Sequence, residues 1–457
     1  MSVPPINIEY HELYLSSPAD GWSDDAFLEH CEERCSEAHS VLLVSGGDVR
    51  KGRYSVCAAQ PALLVHAKGR SSTLIGAEGV MEEGTDPFRL LAQVQSAVTA
   101  DSGSPLAYGA GAYGYLAYEL KNTIERLPQT AVDDLGLPDM WLMYPTYLAV
   151  HDREEGSVAA YELSYTMNER TLPPIPSGET EAAASIRAGN SFEKQAYIDA
   201  INKLRNLIVD GDLYQANLSQ RFVFASPDDP YAVWRELLRR NPAPYFAYIN
   251  AGTHRVLSTS MEQFLHSDGT QIESTPIKGT RKRGSTEAED LLLRNDLLSS
   301  QKETAELSMI VDLVRNDIGR VSVPGSVKVL SHRDLDSYAN VHHLSSTIAG
   351  ELRRGISHTD ILKATFPPGS VTGCPKIRAL EVIDMLEPVA RHVYTGAIGY
   401  LGCDQRMHLS VAIRTAVHLD GRYVLGVGGG IVYDSEPAME YQETIDKGET
   451  FFRVLGR

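Results

Sequence analysis

Residues 270–274 (Thr-Gln-Ile-Glu-Ser) alternate polar and apolar side chains as the end of a β-strand does, and the chain then breaks that strand twice. Pro276 removes a backbone donor and fixes φ, and Gly279 permits a bend that a bulkier residue resists. One lysine stands between the breaks, in Thr275-Pro276-Ile277-Lys278-Gly279-Thr280-Arg281. The pattern calls for a sheet with a strand that stops and presents one cation where it stops. A lysine on a turn is ordinarily solvated, so the meaning of Lys278 depends on what the rest of the chain brings to it.

With 457 residues the chain is long enough for two domains, or one with an elaborate core. Sixty acidic residues against 42 Lys and Arg leave a formal charge of −18, which disfavours nucleic acid or an anionic membrane as the main partner. An anionic small substrate still fits if Lys, Arg or a metal gathers locally. Cys31, Cys35, Cys57, Cys374 and Cys403 form no C-x-x-C pair and read as free thiols, with Cys31 and Cys35 one helical turn apart for packing. The Met-Ser-Val-Pro-Pro start has no signal-peptide pattern, and no apolar run reaches the roughly 18 residues of a membrane span. A cytoplasmic protein is expected.

Residues 1–165 read as an N-terminal domain, a twisted sheet with few helices. A polar helix over 24–39 precedes the strand 41–45, which ends at Gly46-Gly47. Ser45, Arg53 and Tyr54 are candidates for a small effector site, with strand ends and turns as the plainer explanation. Residues 166–190, with Pro173-Pro174-Ile175-Pro176-Ser177-Gly178, form the expected linker. In 191–457, helices are expected over 192–209, 231–240, 286–316 (with a break near Ser299-Ser300), 358–365, 377–386 and 436–454. Strands are expected over 213–224, 244–249, 255–260, 392–401, 407–418 and 422–427.

Two carboxylate pairs stand out. Glu303 and Glu306 are three apart on one helix, and Glu440 and Glu443 on another, so each pair shares a helix face. Facing each other they would make a hard-oxygen site suited to Mg²⁺. Glu303 also fits as the partner of Ser300 in a capping box, and Glu440 as an acid at a helix N-terminus. Strand 407–418 alternates so that Arg414 shares a face with His408, Ser410 and Ala412, which suits carboxylate recognition. Strand 392–401 places His392, Tyr394 and Gly396 together. The Gly369–Lys376 loop leads into a helix and offers backbone donors to an anion. If the strand before Ser260-Met261-Glu262 pairs with the one before Lys278, then Glu262 and Lys278 meet, and a proton can pass between a general acid and a nucleophile.

Pro276-Ile277-Lys278-Gly279-Thr280-Arg281, Met309 to Asp317, Gly369 to Lys376 and Glu440-Tyr441-Gln442-Glu443-Thr444 occur in that order. Through them the chain resembles the chorismate-utilising enzymes, strongly over 190–455 and more weakly over 10–165 through Leu42 to Ser45 and Gly52 to Ser55. The resemblance implies an α+β fold of two large antiparallel sheets packed face to face with helices outside. It implies Mg²⁺ on glutamates matching Glu306 and Glu443, with Glu303 and Glu440 nearby. It implies substrate carboxylates held by Tyr394, Arg414, Lys447, Thr372 and the backbone of Gly428, Gly429 and Gly430, with His343 beside the ring and Glu262 as general acid. A lysine in Pro-Ile-x-Gly-Thr resembles the aminodeoxychorismate-forming branch, where the lysine attacks the ring and ammonia then displaces it. The alternatives are the anthranilate-forming branch and a non-enzymatic chorismate- or tryptophan-binding protein. No glutaminase signature is present, so ammonia is expected from a separate glutamine amidotransferase subunit. Cys374 departs from the alanine common at its position.

Overall fold

The computed structural model describes residues 3–18, 21–100, 107–177, 189–338 and 341–456. Two runs of hydrogen-bonded strands leave one central pair, Tyr54–Lys68 with Met140–Asp152. One run continues from Tyr54–Lys68 through Ser40–Val44, Tyr245–Asn250, Arg255–Ser260, Thr415–Leu419 and Arg422–Ile431 to Gln215–Ala225. The other continues from Met140–Asp152 through Gly111–Leu116, Ala397–Gly402, Met407–Val411, Gln263–Ser267 and Gln271–Thr275 to Val341–Glu351. Every ladder in both runs is antiparallel. Strands from the first third and from residues beyond 191 are neighbours in both. Arg170–Leu172, within the expected linker, pairs with Ser157–Met167, while 178–188 lie outside the described residues.

Strand periodicity puts successive side chains on opposite faces, and the first run uses both. Val41, Ala58, Ala247, Ile249, Val417 and Val424 join a core shared with Tyr113, Ile398, Leu409 and Leu265 of the second run. The alternate residues Leu42, Cys57, Phe246, Tyr248, Ala416 and Leu425 pack on the other side with Phe27, Trp234, Leu237 and Phe451, which come from helices. Two sheets thus share an apolar interior and carry helices outside, the expected α+β architecture. Cys31, Cys35 and Cys57 are free and buried in that outer layer.

Several local expectations are corrected. The Gly428–Gly430 run is not a loop after its strand; it lies inside Arg422–Ile431, opposite Asn217, Leu218 and Ser219. Strand 407–418 is two strands, Met407–Val411 and Thr415–Leu419, broken where Arg414 adopts φ +48°. Period-2 reasoning therefore does not carry through to Arg414, whose carbonyl is instead held by Thr259 through N–H (3.1 Å) and Oγ1 (3.2 Å). Residues 392–395 form a turn before Ala397–Gly402, with φ +55° at His392 and +63° at Thr395, so His392 and Tyr394 do not share a strand face. The hairpin that brings Glu262 towards Lys278 is Gln263–Ser267 with Gln271–Thr275; Arg255–Ser260 pairs elsewhere.

Candidate active site

Lys278 sits in Ile277–Lys282 where the register against Val341–Glu351 shifts between Lys278 and Thr280. Gly279 occupies the irregularity at φ +72°. A Cβ there would press Leu297 at 2.9 Å and the Glu303 carboxylate at 3.1 Å, so both the backbone angle and the space require glycine. The break aims the ammonium at the Ser370 carbonyl, to which it donates at 3.0 Å. Among the described residues no carboxylate lies within ion-pair distance of it. From the opposite wall comes the bare Cα of Gly430. A Cβ there would stand 2.4 Å from Gln215 Nε2 and 3.5 Å from Lys278 Nζ.

Glu262 is buried at the foot of the hairpin. Burial pushes its carboxyl up to about 7, against the pull of the Ser370 hydroxyl, the Lys278 charge and the Ile277 backbone. His343 stands opposite Thr280 in the ladder, with Nδ1 3.1 Å from the Gly279 carbonyl and 3.0 Å from Thr280 Oγ1. Its Nε2 is buried without a partner among the described residues. Burial, reinforced by Arg414, lowers this imidazole to about 3, so it is a neutral ring near pH 7.

The four glutamates come from two helices, Gln301–Gly319 and Pro437–Val454. Ser300 caps the first by accepting the Glu303 N–H at 3.3 Å, and the Glu303 carboxylate accepts from Arg281 at 3.2 Å. Glu303 is therefore tied to the strand beside Lys278. Glu306 and Glu440 face one another across the gap, with the Lys302 ammonium between them at 3.9 and 3.7 Å. Burial raises both carboxyls, and each also feels a neighbouring glutamate. Glu443 is held below its ordinary value by Lys447, 2.6 Å away. Lys447 also donates to the Gly428 carbonyl at 2.9 Å. The bare Cα of Gly429 faces this group: a Cβ would lie 3.5 Å from Glu440, 3.8 Å from Glu443 and 3.9 Å from Lys447. Arg414 is close enough to His343 to help lower its pKa and to act on Lys447, which, against burial, Glu443 nevertheless holds above its ordinary value, and burial lowers Arg414 itself to about 10. Tyr394 packs against Gly426, where a Cβ would come within 2.2 Å of its ring, and feels the charge of Lys447.

Lys278, Glu262, His343, the four glutamates, Lys447, Arg414 and Gly429–Gly430 thus line one cleft between the ends of the two strand runs. Other candidates are engaged elsewhere. Thr372 turns its hydroxyl to the Gly369 carbonyl at 3.1 Å. Lys376 is fixed by Asp317 (2.6 Å) and the carbonyls of Thr365 and Pro367. Ser45 donates to the Tyr54 carbonyl at 2.8 Å, and Arg53 is paired with Asp152 and Glu154. An effector there would have to displace these bonds. Sequence reasoning missed Lys302 and the Ser370 carbonyl as cleft groups. The i,i+4 spacing of Lys302 to Glu306 was the available signal for the first; the second is a backbone group of the helical turn Gly369–Val371, brought to Lys278 only by tertiary packing.

A family model described as chorismate binding enzyme matches residues 43–453. The chain belongs to this family. Membership extends well into the first third, where the sequence motifs are weakest. Among family relatives, the Bacillus subtilis aminodeoxychorismate synthase component 1 is 34% identical, with 94% of this chain and 95% of that protein covered. The Cereibacter sphaeroides anthranilate synthase component 1 is 35% identical, with 97% and 94% covered. The crystal structure of anthranilate synthase component I from Streptococcus pneumoniae superposes with a TM-score of 0.76 at 32% identity, covering 88% of this chain and 92% of that one. Both kinds of relative stand at the same distance, so overall identity does not choose between them. Among the described residues no helix is long and apolar enough to cross a membrane.

Proposed function

We propose that this chain aminates chorismate, replacing the ring 4-hydroxyl with ammonia to give 4-amino-4-deoxychorismate and water. The observation that carries the reading is Lys278, which has no carboxylate partner among the described residues and whose charge acts on a buried carboxyl raised to about 7. Burial favours the protonated form of the Glu262 carboxyl, which is the form a general acid needs. The Lys278 amine forms a bond to the ring, the C–O bond breaks, and the hydroxyl leaves as water with the Glu262 proton. Ammonia then forms the new C–N bond, the bond to Nζ breaks, and the surplus proton returns to Glu262. His343, uncharged, borders the ring without competing for that proton. Arg414, Lys447 and the Tyr394 hydroxyl receive the substrate carboxylates.

Glu306, Glu440 and Glu443 would hold Mg²⁺. Carboxylates are the donors it takes, a lysine cation already stands between two of them, and Gly429 leaves an open cradle beside Glu440 and Glu443. As they stand, no three donors converge among the described residues. When bound, the ion would supply positive charge opposite a substrate carboxylate. The component 1 naming of the relatives supports a separate subunit, a glutamine amidotransferase, as the source of ammonia.

The deciding experiment is incubation of the purified chain with chorismate, MgCl₂ and ammonium, with products identified by mass. A product retaining the pyruvyl group and carrying one amine is expected. Anthranilate with pyruvate as the main products would overturn the reading in favour of the other branch, and no turnover at saturating ammonium would favour a binding protein.

A further inference from the structure

Lys302 and Lys447 both stand among the cleft glutamates, but they are held differently. Lys447 has two close partners, Glu443 at 2.6 Å and the Gly428 carbonyl at 2.9 Å. Among the described residues Lys302 has only loose ion-pair contacts, 3.9 Å to Glu306 and 3.7 Å to Glu440, and its side chain is 49% exposed while those carboxylates are 12% and 6% exposed. It reaches from one helix to the other across the mouth of the cleft, on a flexible stem that can swing into solvent without breaking a hydrogen bond. Two buried carboxylates facing each other need counter-charge; Lys278 also acts on Glu306 and Lys447 on Glu440, but among the described residues Lys302 is the lysine within 4 Å of both.

We propose that Lys302 is the resident counter-ion of the Glu306–Glu440 pair, which a divalent cation must displace, so that Lys302 sets how tightly the cleft binds metal. The proposal rests on the magnesium reading above. It makes Lys302 a positioning residue: with the cleft empty it keeps the two helices at their spacing, and with the cation bound it stands aside. Removing its charge deletes the competitor and leaves the carboxylates unneutralised until metal arrives.

The test uses Mn²⁺ as a spectroscopic stand-in for Mg²⁺, titrated into the full chain and followed by loss of the free-ion electron paramagnetic resonance signal. Lys302→Met is expected to bind Mn²⁺ about three- to tenfold more tightly than wild type, the scale of one or two partly exposed ion pairs. Lys302→Arg, which keeps the charge, is expected to show no tightening. Without metal, Lys302→Met should unfold at a lower temperature, and added MgCl₂ should raise its midpoint more than that of wild type. Equal or weaker binding by Lys302→Met, with wild type binding normally, overturns the displacement idea and leaves the magnesium reading intact. Absence of Mn²⁺ binding by wild type and both variants, with MgCl₂ leaving all three midpoints unmoved, overturns the magnesium reading itself.

Discussion

Two arginines of this protein, Arg391 buried and Arg414 half-buried, are treated in opposite ways. Arg391 makes five side-chain hydrogen bonds: two to Glu387 (2.6 and 2.8 Å), and others to the Asn217 carbonyl (2.6 Å), the Val371 carbonyl (3.0 Å) and Thr395 (3.3 Å). Its guanidinium also sits over the Tyr118 ring. Arg414 has a strained backbone and, among the described residues, no carboxylate partner; its charged neighbours include Lys447. A buried charge without partners is costly. One that is fully paired holds strands and loops together, whereas one left open faces something the protein does not itself supply. The same division separates Lys376, tied to Asp317 and two carbonyls, from Lys278, with one carbonyl.

The sharpest way to break this division is Lys278→Ala. If the open groups do the chemistry, turnover should fall by at least about 10³-fold with the fold intact, and the lysine adduct expected by intact mass spectrometry during wild-type turnover should be absent from the variant. Retained turnover would make Lys278 no different from Lys376. Arg391→Met tests the other side. Leaving Glu387 buried and unpaired should cost roughly 3–5 kcal/mol, read as a lower urea midpoint, while the chorismate KM of the folded fraction stays near that of wild type.

Glu262 allows a pH test. Its folded pKa of about 7 lies above the ordinary value of 4.5, so the native state resists ionising it. Below about pH 4.5 it is protonated in both states and the burial penalty is absent. As pH rises from there through 7, stability is lost, by about 3 kcal/mol in total. Glu262→Gln should abolish that loss: the two proteins should be similarly stable near pH 4.5, and the variant more stable at pH 8, by urea titration. Its turnover should fall by about 10²-fold or more, and the decline in kcat/KM centred near pH 7 should disappear with it.

What was legible in the sequence follows from local physics. His358–Thr365 shows itself through Ser357 and Asp360, which form a reciprocal capping box. The break at Ser300 is visible because a cap and a helix stop coincide there. The glutamate pairs are readable because helical spacing of three fixes a shared face. Arg414 and His392 fail for the reason these succeed: each adopts positive φ, where strand periodicity stops and only tertiary contacts such as the Thr259 bonds hold the chain. Gln215 comes to the Gly430 backbone, beside Lys278, only through the pairing of Gln215–Ala225 with Arg422–Ile431, a register set far along the chain. The family motifs name residues without naming these contacts.

The smallest expected effect bears most directly on the comparison. Arg414→Gln removes an open cation, so it should weaken substrate binding without weakening the fold. Losing one charge-assisted, two-pronged carboxylate contact is worth about 2 kcal/mol, or roughly 30-fold in chorismate KM. Stability should be unchanged or slightly higher, because a half-buried charge with no carboxylate partner among the described residues is gone. Arg414→Lys restores charge but not the planar fork, so it should recover only part of the affinity. If Arg414→Gln instead lowered the urea midpoint as Arg391→Met does, Arg414 would be paired in solution. The contrast between open and closed buried charges would then not mark the substrate side of the cleft.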